Sequence, residues 1–131
     1  MILVDSSVWI DHLRFVEPQL VDLLSKSQVL VHPSVIGEIA CGQLKARVQT
    51  LDLLLGLPAA TQASDEEALH FLERNAIYER GIGWVDMHLC ASAKLSGAKL
   101  WSRDKRLKQV ANELGFGFQE LGLLPVSWTP T

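Results

Sequence analysis

The sequence predicts one α/β domain, a mainly parallel twisted sheet of four to five short strands with helices on both faces. Short apolar runs that read as buried strands alternate with segments of helical periodicity, and alternation of this kind implies right-handed crossovers between parallel strands. Cap and turn residues stand at nearly every junction. The chain has 131 residues, one domain's worth, and its 48% hydrophobic content can furnish a real core.

Residues 1–4 are a continuous apolar run, a buried strand that ends at Asp5. Asp5, Ser6 and Ser7 then cap a turn into Val8, Trp9 and Ile10. A helix over about 18–27 carries Leu20, Leu23 and Leu24 on one face, and 29–32 is a second strand. Pro33 and Ser34 open a helix that runs through Val35, Ile36, Glu38, Ile39 and Ala40 to Gly42. Residues 45–55 read as helical until Gly56 and Pro58 stop them. Val48, Leu51 and Leu55 share a face there, which leaves Asp52 for water. After a loop, Ser64 and Glu67 spell a capping box. Leu69, Leu72, Ala76 and Ile77 then recur at helical spacing as far as Gly81. A helix over 84–96 ends at Gly97, a third strand over 99–102 leads straight to Asp104, a helix over 105–114 closes at Gly115, and 116–119 reads as a last strand. With no repeat, low-complexity tract or linker, the expectation is a single domain over 1–131.

The longest apolar runs fall far short of the roughly 18 residues of a membrane span, and the opening residues lack the basic and long apolar regions of a signal peptide, so a cytoplasmic protein is expected. Cys41 and Cys90 lie in apolar surroundings without C-x-x-C spacing. They read as buried reduced thiols, not as a disulfide or a zinc site. The net charge of −3 argues against nucleic-acid binding by bulk attraction. The charge is unevenly spread, however: Lys94, Lys99, Arg103, Lys105, Arg106 and Lys108 fall in one stretch, opposed there only by Asp104.

Four acids stand in unusual places. In open α/β sheets ligands bind beyond the C-terminal ends of the strands, where this reading puts Asp5 and Asp104. Asp86 falls in the first turn of a helix among Trp84, Val85, Met87 and Leu89, and Glu38 among Val35, Ile36, Ile39 and Ala40. A carboxylate in such a place should be neutralised, hydrogen-bonded or bound to a metal. Each alone could be a helix cap or dipole partner; the combination points to a cluster. Clustered carboxylates repel one another unless a cation is present, and oxygen ligands suit Mg²⁺ or Mn²⁺. Such ions support phosphodiester hydrolysis without a histidine base. His12, His32, His70 and His88 form no H-E-x-x-H motif.

These segments resemble the motifs of the PIN-domain nucleases, and specifically of the VapC toxins of toxin–antitoxin pairs. Val4-Asp5-Ser6-Ser7-Val8-Trp9-Ile10 resembles the opening motif, Val35-Ile36-Gly37-Glu38-Ile39 the segment carrying the family's Glu, Gly83-Trp84-Val85-Asp86 the third motif, and Leu100-Trp101-Ser102-Arg103-Asp104 the fourth. The resemblance implies a PIN-like α/β/α sandwich and a Mg²⁺- or Mn²⁺-dependent endoribonuclease. Asp5, Glu38, Asp86 and Asp104 would be the catalytic, metal-holding acids, and Ser6 and Ser102 would orient them by hydrogen bonds. It also implies an RNA substrate, a homodimer and a VapB-type antitoxin partner.

Arg103, Lys105 and Arg106 then become candidates for RNA phosphate contacts, against the plainer reading of a solvated helix face. Trp9, Trp84 and Trp101 are expected in the core, with stacking on unpaired bases as the alternative. Two other readings stay open: a PIN-fold RNA-processing nuclease without an antitoxin, and a non-catalytic binding module whose acids serve only the fold. A receiver or phosphatase fold fits poorly, because Asp5 is followed by Ser6 and Ser7 rather than by a second acid.

Overall fold

A computed structural model describes residues 1–121 of the chain. β1 (Ile2–Val4) is apolar throughout because it occupies the middle of a three-stranded parallel sheet of order β2-β1-β3 and is buried on both faces. β2 (Val29–Leu30) pairs Ile2 with Val29 and Leu3 with Leu30, and β3 (Lys99–Trp101) pairs Ile2, Leu3 and Val4 with Lys99, Leu100 and Trp101. Single parallel bridges, Val31 to Ala59 and Leu100 to Gly117, add one position at each edge. The last of the expected strands is thus reduced to one bridge, held by Leu100 N–H to Phe116 O at 2.8 Å and Phe118 N–H to Leu100 O at 2.9 Å.

Among the described residues seven helices connect and cover the sheet: α1 (Ser6–Arg14), α2 (Pro18–Ser25), α3 (Pro33–Cys41), α4 (Arg47–Leu55), α5 (Asp65–Arg74), α6 (Trp84–Leu95) and α7 (Lys105–Glu113). α1 packs on α3 and α3 on α4, while α5 packs on α6, and α6 and α7 both pack on β3. The core follows from that layering, with Leu3, Val4, Val8, Leu20, Val29, Val35, Leu89, Leu100, Trp101 and Leu107 all buried. Among the described residues no helix is long and apolar enough to cross a membrane.

Local chemistry sets most helix ends. Pro18 and Pro33 start α2 and α3, and Ser64 and Glu67 close the expected capping box on α5, with Glu67 N–H to Ser64 Oγ at 3.1 Å and Ser64 N–H to Glu67 Oε1 at 3.0 Å. Two expectations are corrected. α5 stops at Arg74 rather than running on to Gly81, because Ile77 N–H bonds Leu72 O and Ala76 N–H bonds Glu73 O, both at 3.2 Å, with Ala76 at φ +50°. That is a Schellman ending with alanine where glycine is usual. In α4 the inward residues are Leu54 and, half-buried, Leu51, whereas Val48 and Leu55 face solvent; Asp52 is exposed, as expected. Leu54 joins the main core with Leu51 packed against it, so packing selects a different stripe.

Candidate active site

The sheet brings Asp5 and Asp104 to one rim, as the strand endings require. Asp5 directly follows β1, and its N–H donates to Trp101 O at 2.9 Å, extending the pairing with β3 by one residue. Ser102, Arg103 and Asp104 follow β3, and Asp104 is the N-cap of α7. Asp5 is also the N-cap of α1, yet its side chain caps nothing. It is buried, and its Oδ2 accepts from Ser7 Oγ at 2.7 Å and from Ser102 Oγ at 2.9 Å. Asp104 does cap: its Oδ1 accepts from Leu107 N–H at 3.0 Å, and the residue is exposed. Asp104 N–H in turn donates to Ser102 Oγ at 3.0 Å.

Glu38 enters from α3 where that helix meets α1, and its Oε2 accepts a hydrogen bond from Ser6 Oγ, which also lies 3.5 Å from Asp5 Oδ1. The apolar surroundings expected for Glu38 are not found. It is exposed at the margin of the buried stripe of Val35 and Ile39. Asp86, third residue of α6, is half-buried, and its carboxyl is pushed up to about 6, first by burial and then by the negative charges of Asp5, Asp104 and Glu38. Asp86 therefore lies within reach of the charges of the other three acids. Among the described residues none of them forms an ion pair with Lys, Arg or His. Nor, among those residues, do any three His, Cys, Asp or Glu side chains stand as a finished set of metal ligands.

Arg103, one of the two cations adjacent to Asp104 in sequence, is engaged elsewhere. Arg103 Nη1 bonds Asp11 at 2.7 Å and Glu17 at 3.0 Å, its Nε bonds Glu120 at 2.8 Å, and its guanidinium lies 5.9 Å from the Trp101 ring centre. A fork of charge-assisted bonds to three carboxylates leaves Arg103 poorly placed for the RNA phosphate expected of it. Lys105 and Arg106 are exposed in the first turn of α7 and form no ion pair among the described residues. Arg106 lies over Gly81, where an added Cβ would stand 2.6 Å from Nη1; φ at Gly81 is +75°. This contact holds Arg106 against the loop that leads into Asp86 and α6. Lys94 and Lys99 end α6 and begin β3, so they lie at the end of the sheet away from the acids, and the basic stretch is not one surface.

Trp9 and Trp101 are buried as expected, but Trp84 is 44% exposed at the first position of α6, ahead of the inward Met87, Leu89 and Cys90. Cys90 is a buried thiol; Cys41 ends α3 on its solvent side and is exposed, contrary to expectation. The residue that sequence reasoning passed over is Ser7. It was read only within the capping turn and the opening motif, and the signal that could have singled it out was its place in the first turn of α1, where a hydroxyl can fold back on the N-cap.

The PIN domain family model matches residues 2–113. The chain is 45% identical over 121 residues to Ribonuclease VapC32 from two strains of Mycobacterium tuberculosis, covering 92% of this chain and 98% of that protein. A crystal structure of PAE2754 from Pyrobaculum aerophilum superposes with a TM-score of 0.56 at 18% identity, over 82% of this chain and 77% of that one, a likeness of fold. With the motifs in order, the parallel sheet and matches that span most of the chain, this protein belongs to the PIN-domain family, on its VapC branch.

Proposed function

We propose that this protein is a Mg²⁺- or Mn²⁺-dependent endoribonuclease and the toxin of a toxin–antitoxin pair. The observation that carries the reading is Asp86, whose proton affinity is raised by burial and by the charges of Asp5, Asp104 and Glu38, in a group of four carboxylates that, among the described residues, have no cationic side chain as partner. An all-oxygen donor set suits a hard divalent ion, and Mg²⁺ keeps several waters and takes one or two carboxylates with substrate phosphates, so a complete protein cage is not needed. Asp5, Glu38, Asp86 and Asp104 would hold the ion. When bound, it supplies Lewis-acid polarisation of a phosphoryl oxygen and acidifies water.

The protein's own part is positioning and charge. Ser102 donates to Asp5 and Ser6 to Glu38, which fixes those carboxylates, and Asp104 keeps one oxygen on the α7 cap and, among the described residues, the other without a hydrogen-bond partner. Lys105 and Arg106 would hold RNA phosphates beside the acids, a contact that positions a strand without reading its sequence. The likeness to Ribonuclease VapC32 supports RNA as the substrate and a VapB-type antitoxin as a partner; a homodimer is part of the same reading.

The test is to sequence new RNA 5′ ends in cells briefly expressing the wild-type chain, Asp5→Asn or Asp52→Asn. New ends at one or a few sites with wild type and Asp52→Asn, and none with Asp5→Asn, are expected. Identical profiles from wild type and a folded Asp5→Asn, or loss of activity in Asp52→Asn, would overturn the assignment.

A further inference from the structure

Both hydroxyls that reach Asp5 Oδ2 also accept from a backbone N–H. Arg103 N–H donates to Ser7 Oγ at 2.9 Å, and Asp104 N–H donates to Ser102 Oγ at 3.0 Å. A hydroxyl has one proton, and the carboxylate, which can only accept, is the nearer acceptor of each: Ser7 at 2.7 Å and Ser102 at 2.9 Å, against 3.5 Å between the two hydroxyls. Two successive amides at the start of α7 thus polarise two hydroxyls that converge on a single oxygen, and chains of this kind strengthen one another. Among the described residues the other oxygen, Oδ1, has only the 3.5 Å approach of Ser6, whose proton is directed to Glu38. Asp5 therefore has one oxygen saturated by hydroxyls and one left on the side of Glu38.

We propose that Ser7 is a positioning residue for Asp5: together with Ser102 it occupies Oδ2, so that Asp5 presents Oδ1 alone to a divalent cation. The inference rests on the metal-dependent reading above and adds to it a residue and a coordination mode. Ser7 ties three pieces of the site together, since its hydroxyl joins the first turn of α1 and the end of β1 to the loop carrying Asp104. The carboxylate is held in one rotation before any ion arrives. One oxygen from Asp5 also suits the octahedral, partly hydrated shell of Mg²⁺ better than the high-coordination shell of Ca²⁺, which often takes both. A hydroxyl that orients a ligating carboxylate is expected to be worth roughly 10- to 100-fold in metal affinity.

The test is calorimetric titration of Mn²⁺ alone into metal-free protein, comparing wild type with Ser7→Ala, Ser7→Cys, Ser7→Thr and Asp5→Asn, with circular dichroism in EDTA to confirm that each is folded. Mn²⁺ affinity should fall at least about tenfold in Ser7→Ala and in Ser7→Cys, which keeps the volume without a strong donor, and should return to within about threefold of wild type in Ser7→Thr, as expected of a lost orienting hydrogen bond. In the folded variants kcat on RNA should fall with affinity at subsaturating Mn²⁺ while KM for RNA stays unchanged. Wild-type affinity in Ser7→Ala, where Asp5→Asn has lost binding, would overturn the role of Ser7 and leave the metal site standing. A loss in Ser7→Thr equal to that in Ser7→Ala would overturn it too, by showing that shape rather than the hydroxyl matters. Wild-type protein that takes up no Mn²⁺ would overturn the metal-dependent reading itself.

Discussion

Replacing Asp86 by Asn should make the metal-free protein more stable, although the residue is proposed to be essential for activity. Burial and the charges of Asp5, Asp104 and Glu38 raise its carboxyl from an ordinary 3.8 to about 6, so the native state resists ionising it. Between about pH 4 and 6 the native chain keeps a proton that the unfolded chain has released. Stability therefore falls as pH rises through that window and stays lowered above it. A shift of two units converts at about 1.4 kcal/mol each, and halving for the solvent that still reaches this half-buried group leaves about 1.5 kcal/mol at pH 7.5. For a chain of this size that is a rise in Tm of about 6 °C in Asp86→Asn. The assay is thermal unfolding in EDTA at pH 4 and pH 7.5, repeated with Mn²⁺. The variant should be the more stable at pH 7.5, the difference should shrink at pH 4, and Mn²⁺ should raise wild type more than the variant. An Asp86→Asn protein no more stable than wild type at pH 7.5 without metal, or an advantage undiminished at pH 4, would refute the argument.

Arg103→Ala should destabilise the fold by about 2 kcal/mol in urea titrations, because three carboxylates lose a shared partner. Arg103 holds the Glu17 carboxyl below its ordinary range, so wild type should lose part of this difference as pH falls through and below the usual glutamate region, while Arg103→Ala should not. Iodoacetamide at pH 8 should label one thiol in the native protein, the exposed Cys41, and two in denaturant: burial and then the charges of Asp86 and Asp5 push Cys90 up to about 12, which peptide mass mapping will show. Ala76→Gly should stabilise by roughly 0.5–1 kcal/mol by relieving the left-handed backbone at the end of α5, read from the urea midpoint. Lys105→Ala and Arg106→Ala should each raise KM for RNA several-fold with kcat nearly unchanged, and flatten the dependence of binding on salt.

Several features were legible because their causes are local. The capping box at Ser64 and Glu67 closes within four residues, and the proline starts of α2 and α3 depend on one backbone angle. β1 and β3 could be read because a strand covered on both faces must be apolar at nearly every position, and a strand's end fixes where the next side chain emerges; hence Asp5 and Asp104 were found together. Periodicity was less informative in α4, where leucines occupy more than one face and only packing against α3 selects Leu54 over Val48 and Leu55. It also failed at the end of α5, where Ala76 takes a backbone conformation for which glycine would have been the sign.

Residue spacing and the reach of a single turn or strand were enough for the alternation of strands and helices, the parallel sheet and the placing of Asp5 and Asp104 just beyond strand ends. The tertiary structure decided which charges meet. Arg103 is adjacent to Asp104 in sequence, yet it bonds Asp11, Glu17 and Glu120, contributed by α1, the segment before α2 and the residues after α7. Ser7 reaches Asp5 within one turn, but only the pairing of β1 with β3 brings Ser102 and the Arg103 amide to the same two groups. Contacts between residues 85 to 100 positions apart depend on how the sheet closes, and no local spacing encodes them.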